Sequence, residues 1–274
     1  MTAQTTTPAL QGLSQPAGRA SFAGTVRSEF TKIRSVRSTY WTLLAMAVVS
    51  IGVGALVSFA ASRNPHGPYF DPTLHSLIGL YFGQLLMAAL GVLVISSEYS
   101  TGMIRTSLTV LPRRGTLIAA KGVVLAAVSL AVGLITSFAS FFIGQALMSG
   151  DHISTTLGHP GVLRAVVGGG LFLAACALLG FGLGLLLRHT AGAICAAVGL
   201  LFVLSLVVNF LPQSWQNHVD KWVPAVAGSV IFTVLPSPPG STPTFAPWTG
   251  FAVFCGYAAI AIAAGLYLFR KRNA

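Results

Sequence analysis

Along this chain, long apolar stretches with no charge away from their ends alternate with short polar gaps. A helix needs about 20 predominantly apolar residues to cross the hydrocarbon core of a bilayer. Six stretches reach that length: 40–61, 74–95, 117–148, 162–187, 191–211 and 248–269. The third is long enough to tilt or to run beyond the bilayer. Tyr40 and Trp41 stand at the start of the first span as interfacial anchors. Ahead of it, over 25–39, Val26, Phe30, Ile33 and Tyr40 recur at helical spacing while Arg27, Lys32, Arg34 and Arg37 take other faces. That pattern fits either a basic amphipathic helix at the headgroup level or a basic flank that only sets topology. Residues 1–24 are rich in Thr, Ala, Gln, Pro and Gly without periodicity and read as a disordered cytosolic tail. Between the fifth and sixth spans, 212–247 holds an apolar run too short to cross and broken by Pro224, Pro236, Pro238, Pro239, Pro243 and Pro247. A short interfacial or re-entrant helix followed by a proline-rich loop is expected there. The pattern predicts an all-α integral membrane protein with six transmembrane helices over 40–274, an N-terminal amphipathic interfacial helix, and a short re-entrant helix before the last span.

Composition agrees with that reading and narrows it. Of 274 residues, 54% are hydrophobic and only 8% charged, against about a quarter charged in soluble domains. The net charge of +11 is not a nucleic-acid footprint, because the cations fall in gaps between apolar runs rather than along one face. With the N-terminus placed in the cytosol, every one of the 16 cations except Arg63, Arg164 and Lys221 falls on the inner side. That excess predicts both termini in the cytosol. Residues 1–39 lack an apolar core followed by a small-residue cleavage site, so no cleavable leader is expected. Cys176, Cys195 and Cys255 all sit in apolar runs and share no ligand spacing, so free thiols are expected.

Catalytic and metal chemistry find little support. There is no GxxxxGK[ST], HExxH or GxSxG motif. His66, His75, His152 and His159 lie in loops at irregular spacing and do not read as a metal site. The spans hold no deep charge, which argues against an ion-driven carrier. Gln84, Gln145 and Asn209 are their strongest polar groups. These either line a polar path or bond one helix to another. Glycines at 168–170, 180, 182 and 184, with Gly79 and Gly83, allow close helix approach.

The remaining feature is the polar island between spans two and three, SEYSTGMIRTSLTVLPRRGTLIAAK from Ser97. Glu98, Gly102 and Arg105 at i, i+4, i+7 share one helical face. Pro112 ends or kinks that helix before Arg113 and Arg114. A loop whose cations merely set topology does not explain Glu98, an acid closing a span on the positive side. A short charged helix held at both ends by apolar segments is what a membrane protein needs if a cytosolic partner is to push on it.

RSEFTKIRSVRSTYWTLL from Arg27, and Glu98-x3-Gly102-x2-Arg105 followed by Pro112-Arg113-Arg114 and Lys121, resemble the corresponding segments of actinobacterial ABC-2 type transporter permeases. The six-span layout and the re-entrant stretch are similar too, so the resemblance covers most of the chain after Gly24. It implies a permease subunit of an ABC exporter with no ATPase or cofactor of its own. ATP and magnesium would bind separate ATP-binding subunits docking on the cytosolic loop 96–116, and the permease would pair with a second copy or a paralogue in the bacterial cell membrane. It also implies that Glu98, Gly102, Arg105, Pro112, Arg113 and Arg114 couple to those subunits, with 25–39 as a connecting helix. The rival readings are an ATP-independent scaffold or complex subunit docking through Arg113 and Arg114, and an intramembrane enzyme using His75 or His189.

Overall fold

Helix α1 (Phe22–Ser35) begins where Ser21, in extended backbone, accepts the Gly24 N–H on its hydroxyl at 3.1 Å. Such an N-cap satisfies one of the donors that a helix start leaves open. The helix therefore starts inside the stretch read above as an irregular tail. The structure, a computed structural model, describes residues 21–63, 67, 69–100, 114–151, 153–235 and 240–271; the rest of that tail lies outside them. At Val36 the backbone turns extended for one residue (φ −86°, ψ 113°), and α2 (Arg37–Ser62) follows at once. Arg37 thus belongs to the first span rather than to the helix before it.

Among the described residues, six helical stretches are long and apolar enough to cross a membrane: Arg37–Ser62, Pro72–Ser97, Gly115–Met148, Val162–Leu187, Thr190–Val208 and Pro247–Leu268. Among the described residues there is no strand, and the chain is an all-α membrane protein. Helices are the form in which a single segment can satisfy all its backbone hydrogen bonds where water is absent. The second stretch is two helices, α3 (Pro72–Leu77) and α4 (Leu80–Ser100), separated at Ile78 and Gly79. At the break a Cβ on Gly79 would lie 1.8 Å from the Ser50 carbonyl oxygen of α2, so two backbones touch there. Helix α5 (Arg114–Met148) has 35 residues and is about 52 Å long at 1.5 Å per residue. It is long enough to project well beyond a core of about 30 Å.

Helix α6 (Val162–Leu187) is the hub, packed against α4, α5 and the last span. Its glycines let the neighbours in. A Cβ on Gly180 would stand 1.9 Å from the Ala88 carbonyl oxygen, and one on Gly91 of α4 1.9 Å from that of Ala177. The two helices therefore cross backbone to backbone, as small residues allow in membranes. Arg188 ends α6 in the left-handed region (φ 53°), and His189 caps α7 (Thr190–Val198) by accepting the Gly192 N–H on Nδ1. The fifth span continues through a π-helical turn, Gly199–Val203, into α8 (Leu204–Val208).

After α8 come α9 (Gln213–Val219) and α10 (Pro224–Ser229), the latter running into a 3-10 turn, Val230–Phe232. Residues from Pro224 to Phe232 are mostly buried, inserted against α6 and α11 (Pro247–Lys271) without crossing the bundle. A Cβ on Gly250 of α11 would lie 2.5 Å from the Ala227 carbonyl oxygen, so this insertion is also fitted backbone to backbone. The apolar run read as re-entrant is therefore this short α10 and its 3-10 turn. Pro236, Pro238 and Pro239 lie outside the described residues.

Candidate functional site

At the α1 end of the bundle, the helix before the first span turns its polar stripe inward. Thr25 and Glu29 are its buried residues, while Phe22 and Phe30 are about half exposed. This inverts the amphipathic order of a soluble helix and suits one with lipid on its outer side. Glu29, 1% exposed, accepts from Lys121 Nζ of α5 at 2.5 Å and from Lys32 Nζ at 2.8 Å. Lys121 is itself only 3% exposed. Burial pushes the Glu29 carboxyl up, but the ammonium groups of Lys121 and Lys32 outweigh it and leave the group below its ordinary value. The result is an ionised, three-residue clasp between α1 and the base of α5. A cavity of about 350 Å³ adjoins it, lined by Glu29, Lys32 and Lys121 together with Val36 of the α1–α2 break and Leu93 and Ser97 of α4. Four helices therefore meet around one charged cluster.

Two of the coupling residues expected from the sequence fall on described helices that contribute to this cluster. Glu98 lies in the last turn of α4, one residue past Ser97, and Arg114 is the first residue of α5. Gly102, Arg105, Pro112 and Arg113 lie outside the described residues. Arg27 and Arg34 are exposed on α1, Lys32 joins the clasp, and Arg37 is exposed at the start of α2.

The other end holds a second constructed feature. Asp71, 5% exposed, caps α3 by accepting the Thr73 and Leu74 N–H groups on Oδ1 at 2.9 and 3.1 Å. Its Oδ2 accepts those of Val234 and Leu235 at 2.9 and 3.1 Å. Arg164 of α6 donates to the carbonyls of Ile231 and Thr233 at 3.0 and 2.8 Å. The two side chains pin both faces of the segment after α10. Beside them lies a cavity of about 470 Å³ between α4, the π-turn with α8, and α10.

Gln84 and Asn209 both line that cavity. Gln145 does not: its Nε2 donates to the Pro72 carbonyl at 3.1 Å and to Ser76 Oγ at 2.9 Å, and its Oε1 accepts the Thr155 N–H at 2.6 Å. It ties α5 to α3. His75 and His189 are engaged locally, His75 through Nδ1 with the Asp71 carbonyl and His189 as a helix cap. Cys176, Cys195 and Cys255 are free. Among the described residues no three His, Cys, Asp or Glu side chains cluster.

Sequence reasoning passed over Glu29, Asp71 and the role of Arg164. Asp71 followed by Pro72 is an N-cap signature, an acceptor before a proline at the first helical position. Glu29, a lone acid within the run of Arg27, Lys32, Arg34 and Arg37, was the other available signal.

Fold and composition define a polytopic α-helical membrane protein. The family model for the ABC-2 family transporter proteins matches residues 25–207, and the chain belongs to that family. No individual curated protein matches it. It is accordingly a permease-type membrane subunit of an ABC transporter.

Proposed function

We propose that this permease works in export from a bacterial cell membrane, driven by separate ATP-binding subunits that dock on the segment 98–121 from the cytosol. Both termini lie on that side, as the distribution of the cations favours. ATP and magnesium belong to the docking subunits, and a second copy or a paralogue completes the transmembrane path. The observation that carries the reading is the clasp of Glu29 with Lys121 and Lys32. Segment 98–121 joins the end of α4 to the base of α5, and the clasp fastens α1 to that base. A push on the segment is therefore delivered to α4, α5 and α1 together, and through the one-residue break at Val36 to the first span.

Glu98 and Arg105 transmit the motion in this account. The test is Glu98→Ala in the reconstituted complex, with assembly, ATP hydrolysis and transport measured side by side. Assembly intact with hydrolysis uncoupled from transport is expected. Normal transport by the variant removes Glu98 from the mechanism.

A further inference from the structure

The 470 Å³ cavity at the end away from α1 falls within the range of small-molecule sites, roughly 300–1,000 Å³, and contains a polar atom that the fold leaves unused. Gln84 is 2% exposed. Its Nε2 donates to the Tyr81 carbonyl at 2.9 Å, and since a carbonyl oxygen receives only from a donor, that bond fixes which end of the amide is which. Its Oε1 is buried and has no hydrogen-bond partner among the described residues. A buried amide oxygen without a donor is costly, so it points to a group that arrives from elsewhere.

Three further observations give the chemistry of that group. Ser205, just past the π-turn on the facing wall, also has a buried hydroxyl without a partner among the described residues. A helical serine ordinarily returns its hydroxyl to a carbonyl three or four residues back, and π-turns gather at functional sites. The rim carries Tyr69, Phe82 and Phe202, each about half exposed, so it offers ring faces to an apolar body. Among the described lining residues Asp71 bears the one formal charge, and it is negative. Both its oxygens are occupied by backbone N–H groups and Arg164 is close enough to interact with its charge, so the lining presents no free cation to hold an anion.

We infer that this cavity binds a neutral or cationic amphiphile and that Gln84 Oε1 receives its hydrogen-bond donor. The inference rests on the permease reading for its meaning, as a substrate class, but not for its test.

The probes are ethidium, a planar cation with amine donors, and tetraphenylphosphonium, an apolar cation with none. Binding to the full chain in phosphatidylcholine nanodiscs is measured without any ATP-binding subunit, so failure here leaves partner docking untouched. Gln84→Leu is expected to weaken ethidium about tenfold, the worth of one such bond, and to leave tetraphenylphosphonium unchanged. Retained phosphonium binding also reports that the variant is folded. Leu206→Trp, at the half-exposed rim, is expected to abolish binding of both probes. Equal loss of both probes in Gln84→Leu, or ethidium binding unchanged in both variants, overturns the proposal. Mass spectrometry of co-purified lipid before and after ethidium saturation separates the natural sources. Displaced lipid marks a bilayer component, and undisturbed lipid a solute.

Discussion

Replacing Glu29 by Gln keeps the shape of the clasp and removes its charge. The ammonium of Lys121, 3% exposed, then loses the carboxylate it donates to at 2.5 Å. Breaking a buried ion pair from one side costs up to about 3–5 kcal/mol, and because the glutamine amide oxygen still accepts a hydrogen bond the expected cost lies at the lower end, about 3 kcal/mol. The reverse change, Lys121→Met, costs less, since Glu29 keeps Lys32 at 2.8 Å, a partner that is partly solvated. Removing both charges in Glu29→Gln/Lys121→Met restores much of the loss, as apolar replacement of whole buried pairs does. The helix α1 packs chiefly on α5, so the cost appears as local opening of α1 rather than as global unfolding. Amide hydrogen exchange over Phe22–Ser35, in nanodiscs, reads it directly. At about 1.4 kcal/mol per decade, 3 kcal/mol is about two orders of magnitude in exchange rate. Wild-type exchange in Glu29→Gln, or a double variant worse than either single one, refutes the argument that the clasp holds α1.

Two further outcomes follow from the same structure. The Glu29 carboxyl is held below its ordinary value, so the clasp's contribution is fully present above the unfolded-state pKa of about 4.3 and is lost as pH falls through the lower folded-state value. Protection over α1, taken relative to the intrinsic exchange rate at each pH, should therefore be flat near neutrality and fall only in acid, and Glu29→Gln should abolish that acid dependence. At the α4–α6 crossing, Gly180→Ala places a methyl 1.9 Å from the Ala88 carbonyl oxygen and should cost about 1–3 kcal/mol, seen as a lower Tm in detergent. Gly256→Ala, within α11 where a Cβ meets nothing within 4 Å, should not lower Tm and should raise it slightly, since alanine favours the helix over glycine.

The spans were legible because apolar length is a local property, and each apolar run coincides with a helical stretch, the second interrupted at Ile78–Gly79 and the fifth carrying a π-turn. What was not legible depends on partners distant in sequence. Glu29 meets a lysine 92 positions away, so the local pattern gave the apolar stripe of α1 but not which stripe turns inward. Gly79, at the break in the second span, has a backbone from α2 against it, and hydropathy is blind to such contact. The π-turn leaves no mark on composition at all. Gln84 and Gln145 are the same residue in similar apolar surroundings. One is consumed by three hydrogen bonds and the other faces a cavity, a difference that only tertiary position makes. Gly102, Arg105, Pro112 and Arg113 lie outside the described residues, so for them the sequence remains the whole of the argument.

The central claim, that an ATP-binding subunit docks on 98–121, is tested most directly by isolating the tagged chain from its native membranes in mild detergent and identifying stoichiometric partners. The account predicts a soluble-type ATPase that co-purifies with the wild-type chain and is lost when residues 98–114 are replaced by a neutral linker. Recovery of the chain alone across several detergents, or of the ATPase regardless of that replacement, contradicts it.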